Sequence, residues 1–221
     1  MHDHDDHSHH DHSHHDHSHD PITSESEDSP FEAREVAIRS LLIEKGIFSA
    51  DELRHRVEMM DGRTPALGAK VVARAWIDAE YKARLLADAE TAIQELGLKT
   101  MHTSKIVAVE NTVDAHNVIV CTLCSCYPIA ILGRPPAWYK SLAYRSRVVA
   151  NPRSVLEAFG LPLPNDVEVR VHDSTADIRY IVIPQRPEDT ENLSEVELAE
   201  LVTRDSMIGV ALAHSPEEIT S

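Results

Sequence analysis

Val120-Cys121-Thr122-Leu123-Cys124-Ser125-Cys126-Tyr127-Pro128 places three thiols within six consecutive residues, and the rest of the chain is organised around this loop. A turn that tight can aim all three sulfurs at one ion. Thiolates are soft ligands that select zinc, cuprous copper, iron or other transition metals and pass over magnesium and calcium. These are the chain's only cysteines, three in number. An odd cluster is no disulfide framework and reads as a metal or redox site in a reducing compartment. Three chemistries fit the bare spacing. One is a structural zinc, which would need a fourth ligand, most simply His102 or His116; the others are a redox thiol site and an open catalytic metal.

Working outward, the residues before the loop read as short strands, Lys105 to Glu110 and Asn117 to Val120, the second leading directly into Cys121. Two more strands are expected at Val167–His172 and Ile178–Ile183. Between them Asn151-Pro152 starts a short helix to Phe159, and Ser194 with Glu197 forms a capping box before Leu198 and Leu201. Upstream the period is helical. Val36, Ile38, Leu41, Leu42 and Ile43 mark an apolar side that Gly46 ends, and Ser49-Ala50-Asp51-Glu52 opens a second helix to about Met60. Thr64-Pro65 begins a third helix through Trp76. Asp78 caps a fourth, with Tyr81, Leu85, Leu86, Ala89 and Ile93 at helical spacing up to Gly97. The fold class is α+β: a tail over 1–30, a helical N-terminal arm over 31–98, a mixed metal-binding catalytic domain over 99–213, and a C-terminal tail over 214–221.

The chain has 221 residues, a net charge of −16 and ten aromatic residues. The charge argues against a phosphate-binding surface and hence against nucleic acid, and no apolar run is long enough to cross a membrane. So few aromatics are thin for a protein that closes its whole surface alone, which brings a partner subunit into view. Residues 1–30 hold nine Asp or Glu and no Lys or Arg, and ten of the eighteen residues at 2–19 are His. Such a run cannot bury enough apolar surface to order itself, and its imidazoles are ready ligands for cobalt, nickel, copper or zinc. It reads as a metal reservoir or delivery arm, or else as a solvated tail. The N-terminus lacks the basic and apolar regions of a secretory signal, so the expected location is the cytoplasm.

Cys121-Thr122-Leu123-Cys124-Ser125-Cys126 strongly resembles the metal-binding segment of nitrile hydratase alpha subunits, which are related to the gamma subunit of thiocyanate hydrolase. Val109-Glu110-Asn111-Thr112, Pro135-Pro136-Ala137-Trp138-Tyr139-Lys140, Tyr144-Arg145-Ser146-Arg147, Pro184-Gln185-Arg186-Pro187 and Val202 to Gly209 look like the same family in the same order. The likeness covers roughly residues 31–210.

The resemblance implies a non-corrin trivalent cobalt, with trivalent iron the less favoured metal because Thr122 resembles the cobalt class. Its ligands would be the sulfurs of Cys121, Cys124 and Cys126 and the backbone nitrogens of Ser125 and Cys126. It further implies that Cys124 is oxidised to sulfinic acid and Cys126 to sulfenic acid, and that a beta-type subunit supplies two arginines to the oxidised sulfurs. An activator protein would load the cobalt. The implied reaction is hydration of a small neutral nitrile to the amide at a Lewis-acidic metal, with the sulfenate of Cys126 a candidate nucleophile. Ser125 and Tyr127 flank the metal by sequence. Thr122, Asp173 and Arg179 are candidates to support it, the last two because they sit on strands that follow the loop.

Two positions depart from the family pattern. Ile129 stands where the family has a pocket Trp, and His102 where many relatives have a pocket Gln. Thiocyanate hydrolase also replaces that Trp, but with Arg, so Ile129 favours a neutral substrate. The rival readings are a thiocyanate hydrolase-like subunit and a cobalt storage or delivery protein. His116 is expected to be an ordinary exposed or satisfied histidine, and Trp138 and Tyr139 to be interface or core packing.

Overall fold

The computed structural model of the protein describes residues 31–100 and 104–219. The expectations for the His/Asp-rich tail and for His102 lie outside the described residues. The N-terminal helices are α1 (Glu32–Glu44) and α2 (Ala50–Asp61). Glu52 N–H donates to Ser49 Oγ at 3.1 Å and Ser49 N–H to Glu52 Oε2 at 2.8 Å, completing the capping box that opens α2. Neither helix contributes to the core: α2 buries nothing, and Val36, Ile38 and Leu41 on the apolar side of α1 are about half exposed.

The core begins with α3 (Pro65–Ile77), which buries Gly68, Ala69, Val71, Val72, Ala73 and Ala75. The single helix expected from Asp78 to Gly97 is two, α4 (Ala79–Ala87) and α5 (Ala89–Glu95). Asp88 is the reason. Its carboxylate accepts from the Thr91 N–H and hydroxyl, at 3.3 and 2.8 Å, so it caps a new helix instead of continuing the old one.

The strands are β1 (Lys105–Glu110), β2 (Ala115–Val120), β3 (Glu168–Asp173) and β4 (Ile178–Ile183). They form two separate parallel pairs, β1 with β4 and β2 with β3, with Val120 opposite Asp173. Strand β2 starts two residues earlier than the alternation suggests. Thr112 closes the turn before it, its Oγ1 accepting from Ala115 N–H at 3.1 Å. All six residues of β2 are buried.

After β2 come short helices that the periodicity did not reveal: α6 (Ile129–Leu132), α7 (Ala137–Lys140) and α8 (Leu142–Ala150). Then follow α9 (Pro152–Ala158), α10 (Glu195–Glu200) behind its Ser194–Glu197 capping box, α11 (Arg204–Ile208) and α12 (Pro216–Ile219). One apolar cluster joins Val71, Leu85 and Ile93 of the helices to Ile119, Val120 and Ile181 of the strands and to Tyr139 and Tyr144. Trp138 packs edge-on against Phe159 and Tyr144, with ring centroids 4.7 and 4.9 Å apart.

A buried polar chain locks β2 to α11. His116 Nε2 lies 2.8 Å from Gly209 O, so it carries the proton, and Nδ1 accepts from Asn111 Nδ2 at 3.2 Å. Asn111 Oδ1 takes two donors from Asn117, and Asn117 Oδ1 accepts from His172 Nε2 at 2.7 Å. This arrangement needs a neutral His116, and burial holds its pKa below the ordinary 6.5. Burial and the nearby Arg170 do the same for His172. A histidine pKa depressed by folding gives stability that is fully present above about pH 6.5 and is lost as the pH falls below it. The urea midpoint should therefore drop between pH 7.5 and 5.5, and His116→Gln should flatten that drop. An unchanged slope in the variant would place the acid sensitivity elsewhere.

Candidate metal centre

Strand β2 delivers Cys121 to the end of the sheet, where the chain turns sharply. The pairing of β2 with β3 continues one residue past the ladder, with Ser174 N–H donating to Val120 O at 2.7 Å. That register sets the Asp173 carboxylate against Thr122. Oδ1 accepts from Thr122 N–H at 2.9 Å and Oδ2 from its hydroxyl at 2.6 Å. The three sulfurs of Cys121, Cys124 and Cys126 all lie within 4.8 Å of one another. Cys124 Sγ is 3.5 Å from Cys121 Sγ and 3.3 Å from Cys126 Sγ. Cys121 is buried, Cys126 half-buried and Cys124 exposed, so the cluster opens to the surface on one side.

The thiols of Cys124 and Cys126 shift in opposite directions. Hydrogen bonds from the Cys126 and Cys121 thiols and from the Ser125 amide pull the Cys124 thiol below its ordinary value. Burial and the neighbouring thiols push Cys126 up to about 12, with the Arg179 guanidinium opposing the rise. The donor set, three clustered sulfurs with an open side, fits a thiolate-binding transition ion. Among the described residues no histidine or carboxylate joins the three cysteines. His116 cannot be the fourth zinc ligand, because Gly209 and Asn111 hold both its ring nitrogens.

The structure also locates the supporting residues. Arg179, on β4, and Ile129, at the start of α6, line a cavity of about 80 Å³ with Ser104, Ile106, Tyr127 and Ala130. Tyr127 is buried, stands edge-on to Tyr139 at 5.1 Å, and its hydroxyl has no hydrogen-bond partner among the described residues. Ser125 is half-buried on the rim. A larger groove of about 610 Å³ runs along α2 past Phe48, Glu52, Leu53 and Met59 and includes none of these residues.

Two residues that sequence reasoning left to packing or passed over reach the loop itself. The Tyr139 hydroxyl donates to Cys126 O at 2.9 Å and Arg145 Nη1 to Cys124 O at 3.4 Å. Both fall in the segments Pro135 to Lys140 and Tyr144 to Arg147 that carry the family likeness. Burial raises the Tyr139 phenol well above its ordinary value, so it remains a donor.

The family described as "Nitrile hydratase, alpha chain" matches residues 29–211. The chain belongs to the nitrile hydratase alpha-subunit family. Within it, the chain is 50% identical over 187 residues to the low-molecular weight cobalt-containing nitrile hydratase subunit alpha of Rhodococcus rhodochrous, covering 84% of this chain and 90% of that protein. It is 44% identical over 203 residues to thiocyanate hydrolase subunit gamma of Thiobacillus thioparus, covering 87% of this chain and 84% of the relative. Its fold is similar to that of an Fe-type nitrile hydratase double mutant from Comamonas testosteroni Ni1. There the TM-score is 0.81 and the identity 41%, over 86% of this chain and 94% of the other. The relatives thus include a cobalt-containing nitrile hydratase subunit and an Fe-type nitrile hydratase. Backbone shape alone does not separate cobalt from iron.

Proposed function

We propose that this chain is the alpha subunit of a cobalt-type nitrile hydratase, acting with a beta-type subunit to hydrate a small neutral nitrile to its amide. The observation that carries the reading is the cluster of three cysteine sulfurs within 4.8 Å, open on one side and anchored by Asp173. Cys121, Cys124 and Cys126, with the amide nitrogens of Ser125 and Cys126, would hold trivalent cobalt, which supplies Lewis acidity toward a nitrile or water. Thr122 and the cobalt-containing relative favour cobalt over iron.

The chain's own groups have distinct tasks in this reading. Asp173 fixes the start of the loop through Thr122. Peroxide, reduced to water, would oxidise Cys126 to the sulfenic acid with one equivalent and Cys124 to the sulfinic acid with two, and the sulfenate oxygen of Cys126 is a candidate nucleophile. Arg179 supplies positive charge beside Cys126, and two arginines of the beta-type subunit complete the donors that oxidised sulfur needs. Ser125 and Tyr127 border the reacting position. The exposed apolar side of α1 and the exposed Leu123 are surfaces for that subunit to cover. An activator protein would load the cobalt, and thiols that stay reduced until then fit a cytoplasmic protein. No helix among the described residues is long and apolar enough to cross a membrane.

Thiocyanate is the rival substrate, because a thiocyanate hydrolase subunit is a relative. Arg179 also lines the cavity, so the preference for a neutral nitrile rests on Ile129 standing where thiocyanate hydrolase carries an arginine. The complex with its beta-type subunit should hydrate propionitrile and leave thiocyanate unchanged; the reverse preference would overturn the proposal. Ile129→Trp should change the ranking of aliphatic against aromatic nitriles by about ten- to two-hundredfold, the range open to one apolar contact. Cobalt content should stay the same. An unaltered ranking would put Ile129 outside the pocket.

A further inference from the structure

We infer that Tyr139 is a positioning residue for the metal claw: its hydroxyl pins the Cys126 carbonyl and so holds the third sulfur in register with the other two. The inference rests on the metal-centre reading above.

Side chains from outside the stretch grip Ile119 to Cys126 at four points, beyond its backbone pairing with β3. Tyr144 OH donates to Ile119 O at 2.6 Å, Asp173 takes the Thr122 amide and hydroxyl, Arg145 reaches Cys124 O, and Tyr139 OH donates to Cys126 O. Three of the four grips come from α7 and α8, which follow the loop by only 13 to 25 residues. Asp173 secures the front of the turn. Tyr139 secures its back at the Cys126 carbonyl, after which the chain passes through Tyr127 and Pro128 and leaves as α6. The proline restricts Tyr127 to extended or turn backbone. With the carbonyl before it also fixed, the backbone at Cys126 has little freedom to swing. Its sulfur then stays 3.3 Å from that of Cys124.

Tyr139 is itself rigidly placed. It is fully buried, with its ring 5.1 Å from Tyr127, 6.0 Å from Trp138 and 5.8 Å from Tyr144. A phenylalanine would fill the same space and make the same ring contacts. The hydroxyl is therefore superfluous to packing, and a buried hydroxyl is costly unless it is hydrogen-bonded. Its acceptor is the backbone of a proposed ligand.

Removing a hydrogen bond of this kind behind a metal ligand costs about 10- to 100-fold in metal affinity. The test is a titration of the reduced full chain with cobaltous ion, following both the half-loading concentration and the cobalt–sulfur absorption bands. Tyr139→Phe should raise the half-loading concentration about 10- to 100-fold and alter the bands. Phe159→Leu, which loosens the same aromatic block without touching the loop, should lower the melting temperature and leave both cobalt readouts at wild-type values.

A wild-type chain that takes up no cobalt would overturn the metal reading and this inference with it. A wild-type chain that loads, beside a Tyr139→Phe chain that loads at the same concentration with the same bands, would overturn this inference alone. If the phenylalanine chain does not fold, Tyr139→4-aminophenylalanine, which keeps a weaker donor on the ring, takes its place. Weaker loading with altered bands then supports the inference, and wild-type values contradict it.

Discussion

Alanine in place of Cys121, Cys124 or Cys126 should leave the chain folded and unable to retain cobalt. The three sulfurs are drawn together by one turn, and no other histidine, cysteine or carboxylate among the described residues lies close enough to replace a lost one. Residues that merely support a metal ligand are worth about 10- to 100-fold in affinity, so loss of a ligand should exceed roughly 100-fold and reduce hydration to background. The three variants differ in what else they disturb. Cys124 is exposed, and its removal should not move the melting temperature. Cys121 is buried at the end of β2 and should cost a little stability through the small void left behind. Elemental analysis of each purified complex, beside its melting curve, separates loss of metal from loss of fold. Stoichiometric cobalt in any of the three would remove that cysteine from the ligand set.

Gly209→Ala should be the most damaging substitution outside the claw. Gly209 ends α11 in the left-handed region at φ +91°, and a Cβ there would lie 1.9 Å from the carbonyl oxygen of Asn117. Asn117 sits in the middle of β2, the strand that feeds the cysteines, and Gly209 O is the acceptor that holds His116. Neither backbone can retreat without breaking that lock. A loss of more than about 4 kcal/mol is expected, the exceptional range in which backbone strain and a broken buried network act together, and the variant should lack a cooperative melt. Gly160→Ala is the matched comparison. Its φ is +82°, but nothing lies within 4 Å of the added carbon, so it should cost only the left-handed strain of about 1–2 kcal/mol. Equal melting temperatures for the two variants would show that the close approach at Asn117 is not limiting.

Much of this was legible where the controlling contacts are local. The Ser49 and Ser194 capping boxes connect residues three apart, and both form. Strands β1 and β4 fall at the bounds expected for them, Lys105–Glu110 and Ile178–Ile183. The claw could be read because its three cysteines come from one turn, and the placing of Asp173 followed from a strand ending beside it. What escaped depends on contacts far apart in sequence or on competition between nearly equal local choices. Asp88 could have stayed on the surface of one long helix and instead caps a second. The helices α6 to α8 are four to nine residues long, too short for a periodic signal, and are held by the aromatic block around Trp138 and Tyr144. Tyr139 reads as core because it is core; that its hydroxyl meets Cys126 depends on how α7 folds back on the loop. The apolar side of α1 was visible, yet its periodicity carried no indication that this chain leaves it uncovered.

The central claim is that cobalt held by the cysteine claw makes this chain's complex a nitrile hydratase. The most direct measurement is cobalt content and amide formation on one preparation of the full chain co-expressed with its beta-type subunit and activator, grown with and without cobalt. The account predicts about one cobalt per alpha chain, amide production in proportion to that cobalt, and added oxygen on Cys124 and Cys126 by peptide mass spectrometry. Stoichiometric zinc with all three cysteines reduced, in a complex that still hydrates nitriles, would contradict it.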